Sequence, residues 1–154
     1  MPASEEGRGS RLYQLDGPDA KPRALSPPGY RAFPRCISPD GRLATVTGPD
    51  SKRYLYPLTG GEPAPIPGLL EDESPIGWTA DGRSIYVYKR GLYPARIFRL
   101  DVSTGKRELW RELTPPDPAG ISNVAPPAIA ADEKTYAYSY NRILSDLFLA
   151  EGLK

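Results

Sequence analysis

The sequence contains no histidine in 154 residues, and that absence alone removes a large share of enzyme chemistry. Without an imidazole there is no Ser-His-Asp or Cys-His nucleophilic arrangement, no HExxH zinc site and no ordinary Cys/His metal site. One cysteine, Cys36, can form neither an internal disulfide framework nor a zinc knuckle. It reads as a small buried apolar side chain. No apolar run approaches the roughly 20 residues that span a bilayer. The opening MPASEEGRGS lacks the hydrophobic stretch of a signal peptide. A formal charge of +1 offers no surface for nucleic acid or an anionic membrane. A Gly-rich nucleotide loop, an HRD loop and a DFG motif are also missing. The sequence therefore predicts no catalytic residue, no cofactor and no metal site.

What is present points to β structure. Tyrosine outnumbers phenylalanine ten to three, and tyrosine suits a pleated, half-buried surface with one wet end. Nineteen prolines and 15 glycines leave little room for long helices and favour short strands with frequent turns. At 39% hydrophobic and 25% charged the chain reads as globular, with length for one domain and not two.

Three segments share a pattern: CISPDGRLATVT from Cys36, GWTADGRSIYVY from Gly77 and AIAADEKTYAYSY from Ala128. Each runs from a small or apolar stretch through an acidic turn into a β-prone run. The turn aspartates are Asp40, Asp81 and Asp132, 41 and 51 residues apart. Gly41 and Gly82 suit a hairpin position of positive φ, and Pro39 presets the first central position. Glu133 stands where the third copy should have glycine, so that turn must differ or be strained. A second element recurs as RLYQLD from Arg11, YLYPLT from Tyr54, RIFRLD from Arg96 and DLFLAE from Asp146. Its aliphatic column is Leu12, Leu55, Ile97 and Leu147, followed by Tyr13, Tyr56, Phe98 and Phe148. Each copy leads into a turn at Asp16-Gly17, Gly60-Gly61, Gly105 or Gly152. Both markers agree on a unit of about 42 residues with one insertion of roughly eight to ten.

The unit thus reads as strand, acidic turn, strand, loop, strand, Gly turn, strand. Four short antiparallel strands in about 40 to 45 residues make a β-propeller blade. The predicted fold is all-β: a disordered tail over residues 1–9, then a partial propeller over 10–154. Its blade units cover roughly 10–26, 32–68, 74–113 and 126–154, with a loop insertion over 114–127. About three and a half blades fall short of a closed ring, so the expectation is part of a larger propeller with open edge strands. Self-association through those edges is a corollary.

ISPDGRLATVT and WTADGRSIYVY resemble the TolB-type, WD-repeat-like β-propeller repeat, whose hallmark is an apolar or aromatic residue before SPDG. The final YAYSYNRILSDLFLAEGLK is similar to the C-terminal end of bacterial serine/threonine protein kinases that carry such a propeller. The resemblance implies a sensory or scaffolding module that binds a protein, a peptide or a small ligand. Its aspartate is structural, which gives Asp40 and Asp81 a turn-forming role. A kinase parent would put its chemistry outside this chain. The location would be cytoplasmic by default and extracytoplasmic if that parent were membrane-anchored. Two other parents share the repeat: a prolyl-oligopeptidase-type hydrolase and a TolB-like envelope transport accessory.

The remaining polar and aromatic groups have plain readings. Glu71, Asp72 and Glu73 read as solvated loop charges rather than a cation site. Lys89, Arg90, Arg96 and Arg99 read as scattered surface charge rather than a phosphate site. Trp78 and Trp110 read as packing between blades, and Tyr136, Tyr138 and Tyr140 share one strand face that reads as inter-blade surface. The long stretch from Thr114 to Pro127 is the expected binding surface, because loops on a rigid scaffold carry specificity.

Overall fold

A computed structural model describes residues 3–5, 8–15, 17–91 and 93–145. The fold is all-β, with no helix among the described residues. Strands β1 (Ala3–Glu5) and β2 (Arg8–Arg11) pair antiparallel, as do β3 (Tyr13–Gln14) and β4 (Arg23–Ala24). Next come β5 (Arg31–Ile37), β6 (Leu43–Thr47), β7 (Arg53–Pro57) and β8 (Ala64–Pro65), one antiparallel sheet in chain order. A second such sheet holds β9 (Glu73–Trp78), β10 (Ser84–Lys89), β11 (Ala95–Asp101) and β12 (Arg107–Leu113). Last are β13 (Ile121–Val124), β14 (Ala128–Ile129), β15 (Tyr136–Ala137) and β16 (Tyr140–Arg142). β13 pairs β16 and β14 pairs β15, and the Ala125 amide donates to the Ser139 carbonyl between them. These four strands are one long, interrupted hairpin.

Two expectations need correcting. The stretch 114–127, read as a loop insertion, contains β13, so the last unit's first strand begins at Ile121 rather than near 126. The extra residues lie instead in longer outer strands: β11 and β12 have seven residues each, where β7 and β8 have five and two. Of residues 1–9, expected as a disordered tail, 3–5 form β1 and 8–9 begin β2, and the two strands give each other ladder partners. The DLFLAE element, Asp16 and Gly152 lie outside the described residues.

The three acidic turns are one turn. In each, the residue after the aspartate donates its amide to the carbonyl three positions back: Gly41 to Ser38, Gly82 to Thr79 and Glu133 to Ala130, at 2.9, 3.0 and 3.0 Å. That residue has φ of 71°, 68° and 55° respectively. The aspartate Oδ1 accepts the amide two positions on, from Arg42, Arg83 and Lys134. Glu133 therefore adopts the glycine conformation despite its Cβ, at a cost of about 1–2 kcal/mol. The turn is the same and the strain is real.

Packing is serial. On β10 the side chains alternate, so Ile85 and Val87 face one way and Tyr86 and Tyr88 the other, all fully buried. Ile85 and Val87 join Leu100 against Leu55 and Ile66 of the preceding sheet. Tyr86 and Tyr88 join Ala95, Ile97 and Leu113 against Val124, Ile129, Tyr136 and Tyr138 of the following hairpin. A third cluster puts Leu12 and Leu25 against Ala44, Val46 and Tyr56. Each unit thus packs face to face on the next in chain order. Burying each such aliphatic or aromatic side chain contributes about 1.5–3 kcal/mol.

Candidate functional site

Each unit has a proline six residues before its turn aspartate: Pro34 in β5, Pro75 in β9 and Pro126 in the gap between β13 and β14. Proline has no N–H for the ladder, and within sheets it is confined to edges and bulges. Each of these strands is bulged at that point. Tyr86 pairs with Gly77 and Val87 with Pro75, so Ile76 is skipped. Ala32 pairs with Val46 and Ile37 with Ala44, so four residues of β5 oppose Thr45 alone. Ala125 to Pro127 oppose only Tyr138 and Ser139. A bulge bends its strand and re-aims the side chains beside it.

The three re-aimed strands meet at one cleft of about 570 Å³. The preceding sheet supplies Arg35, Ile37 and Pro39; the central sheet supplies Ile76 to Ala80 with Tyr86; the hairpin supplies Ile129 to Ala131 and Glu133. Ile37, Trp78 and Ile129 occupy the same repeat position, three before the turn aspartate, so the repeat itself builds the wall. Ile37 is 57% exposed, a large apolar side chain held in the opening.

Polar groups tie the rim together. The Trp78 indole N–H donates to the Cys36 carbonyl at 2.7 Å, joining the first two inner strands. Arg35 Nη1 donates to the Ile129 carbonyl, 94 residues along the chain. Glu133 accepts from the Ala80 amide, from the Tyr86 hydroxyl at 3.0 Å and from Arg99 Nη2 at 3.2 Å. Burial, with the Glu133 bond, pushes the Tyr86 hydroxyl up against the opposing pull of Arg99. Burial works to lower the pKa of Arg99, but Tyr86 and Glu133 outweigh it and the net shift is upward. The strained Glu133 backbone is thus matched by a side chain that clamps the hairpin to the central sheet.

The other residues singled out in the sequence are dispersed. Glu73 is 4% exposed and paired with Arg107, so it is not a solvated loop charge. It stands at the start of β9, where its second oxygen accepts the Leu70 amide and needs a cationic partner to be tolerated inside. Asp72 pairs with Lys89, Arg96 with Glu112, and Arg99 with Glu108 and Glu133. Asp72, Glu73, Lys89, Arg96 and Arg99 are therefore in separate ion pairs rather than one charged cluster. Trp110 packs edge-on between Tyr86 and Tyr136, at 5.0 and 5.6 Å between centroids. Tyr136, Tyr138 and Tyr140 line up at 6.4 Å spacings along one face, the first two against the central sheet. Burial pushes the half-buried Cys36 thiol upward, which keeps it protonated and weakly reactive. Among the described residues no group of three or more Cys, Asp or Glu side chains could hold a metal ion.

Sequence reasoning missed Arg35 and gave Glu133 only as an anomaly. The column of prolines was the available signal, because it marks where each inner strand bulges toward the cleft. Compared with protein-family models the chain matches none, and no curated protein is significantly similar to it.

Proposed function

We propose that this chain is a non-catalytic binding module, a run of β-propeller blades that takes a protein or peptide partner at the cleft formed by its inner strands. The observation that carries this reading is the cleft: one bulged strand from each of three consecutive, face-to-face units contributes to it. Such concave, largely apolar sites with a few fixed polar groups are the ordinary form of a binding pocket. Thr79 and Glu133 of its wall are committed to structure. The Thr79 hydroxyl donates to Asp81 at 2.7 Å, and Glu133 holds Tyr86 and Arg99. The sequence resemblance supports placing this module as a sensor or scaffold section of a bacterial serine/threonine kinase-type parent.

Panning a random-peptide display library on the chain tests this, with Gly77→Leu as counter-selection. A Cβ at Gly77, on the cleft wall, meets only the Arg35 Cβ, at 3.9 Å, which is ordinary van der Waals contact, so the position has room for a side chain to begin. Enriched peptides should lose at least about tenfold in affinity on the variant. Peptides that bind both proteins equally would mean the cleft is not the site.

A further inference from the structure

We infer that the cleft selects a ligand bearing a carboxylate on an apolar residue, with Arg35 as its anchor. This rests on the reading of the cleft as a binding site and adds the chemical class of what enters it. Arg35 lies in the widest of the three inner-strand bulges with φ of 59°, a left-handed conformation that a long side chain adopts only when its surroundings impose it. The same repeat position in the central sheet holds Ile76, which lines the cleft as an apolar side chain. Among the described residues no carboxylate pairs with Arg35. One of its five N–H donors meets the Ile129 carbonyl, which fixes the guanidinium across the cleft and leaves donors for a planar acceptor. The other charged group in the wall, Glu133, is already held by Arg99 and Tyr86 and makes no ion pair with Arg35, which is an exposed residue of the cleft. The same cleft is lined by Ile37, Ile76 and Trp78, an apolar surface for the residue that carries the carboxylate. A cleft wall that holds a guanidinium, an indole and two aliphatic side chains is matched by a peptide's terminal carboxylate after an apolar residue, or by an acidic side chain between apolar ones.

The two tryptophans provide a built-in readout. Trp78 lines the cleft, whereas Trp110 is packed between the central sheet and the hairpin. Three probes are titrated while the two indole N–H resonances are followed by NMR: acetyl-dileucine with a free carboxylate, acetyl-leucyl-glutamyl-leucine amide, and acetyl-dileucine amide. One or both carboxylate probes should shift the Trp78 resonance and leave that of Trp110 in place, with the uncharged amide at least about tenfold weaker. The stronger of the two tells whether a chain end or a side chain supplies the carboxylate. Arg35→Gln should lose at least tenfold, and Arg35→Lys should keep part of the binding through its retained charge. An unmoved Trp110 resonance certifies that each variant is folded. If the uncharged amide binds as well as the acids, or Arg35→Gln binds like the parent, the carboxylate assignment is wrong while the binding site stands. If neither acid moves Trp78, the assignment also fails, and panning on Gly77→Leu then decides the fate of the site itself.

Discussion

Glu133 shows how one residue can spend stability in its backbone and recover it in its side chain. Its φ of 55° is strained, yet its carboxylate takes three donors from the central sheet. Substitution separates the two effects. Glu133→Gly relieves the strain but loses the clamp, and should destabilise the chain by about 1–2 kcal/mol, because two of the lost donors belong to part-buried groups. Glu133→Ala loses the clamp and keeps the strain, and should be about 1 kcal/mol less stable again. Urea denaturation of both variants checks this, and an Ala variant as stable as Gly would show that the turn is not strained. The turn aspartates make a second prediction at this scale. Hydrogen bonds from Ser103 and Thr104 hold Asp101 at about 2. The Ser38 hydroxyl lowers Asp40, the Thr79 hydroxyl lowers Asp81, and the Thr135 amide lowers Asp132. A carboxylate whose folded pKa is depressed stabilises the fold above its unfolded pKa of roughly 4 and loses that contribution as pH falls through the folded value. With no histidine to titrate, thermal unfolding should be nearly constant from about pH 5.5 to 8 and should drop from about pH 4 to pH 2. A marked change in the neutral range would contradict this set of groups.

Among the elements, β10 carries the most. Both of its faces are covered, by the preceding sheet at Ile85 and Val87 and by the hairpin at Tyr86 and Tyr88. Ile85→Ala should therefore cost about 3 kcal/mol in chemical denaturation. Ile143→Ala, at a side chain that is largely exposed, should cost less than about 0.5 kcal/mol. Equal losses at the two positions would mean that β10 is not a shared core strand. Strand order was legible in the sequence because the Asp-Gly turns and the aliphatic-aromatic pairs mark alternate connections of a meander. The extent of β13 was not. Ala125, Pro126 and Pro127 read as loop, and only the pairing of Val124 with Tyr140 and Ala128 with Ala137 makes the flanking residues one edge. Arg35 was hidden for a related reason. Its role depends on a bulge and on a carbonyl 94 residues away, and neither leaves a local pattern. Trp78, by contrast, was identified as inter-unit packing, and its hydrogen bond to Cys36 adds that it also lines the cleft.

For the whole molecule, serial packing and the shared cleft are one arrangement. Stacked units with bulged first strands bring Ile37, Trp78 and Ile129 to a common opening, and the reading as a binding module depends on that convergence. Spin labelling tests it directly. In a Cys36→Ser background, Ile37→Cys carries a nitroxide at the cleft, and paramagnetic broadening is read across the chain. The backbone amides of Ile129 and Ala130 and the Trp78 indole should be strongly broadened. Leu109, on β12 and so three strand spacings of roughly 4.8 Å out from β9, should be broadened less. Sharp amide signals at Ile129 and Ala130 would mean that the first and third of these units do not share a cleft, and the proposed function would fall with it.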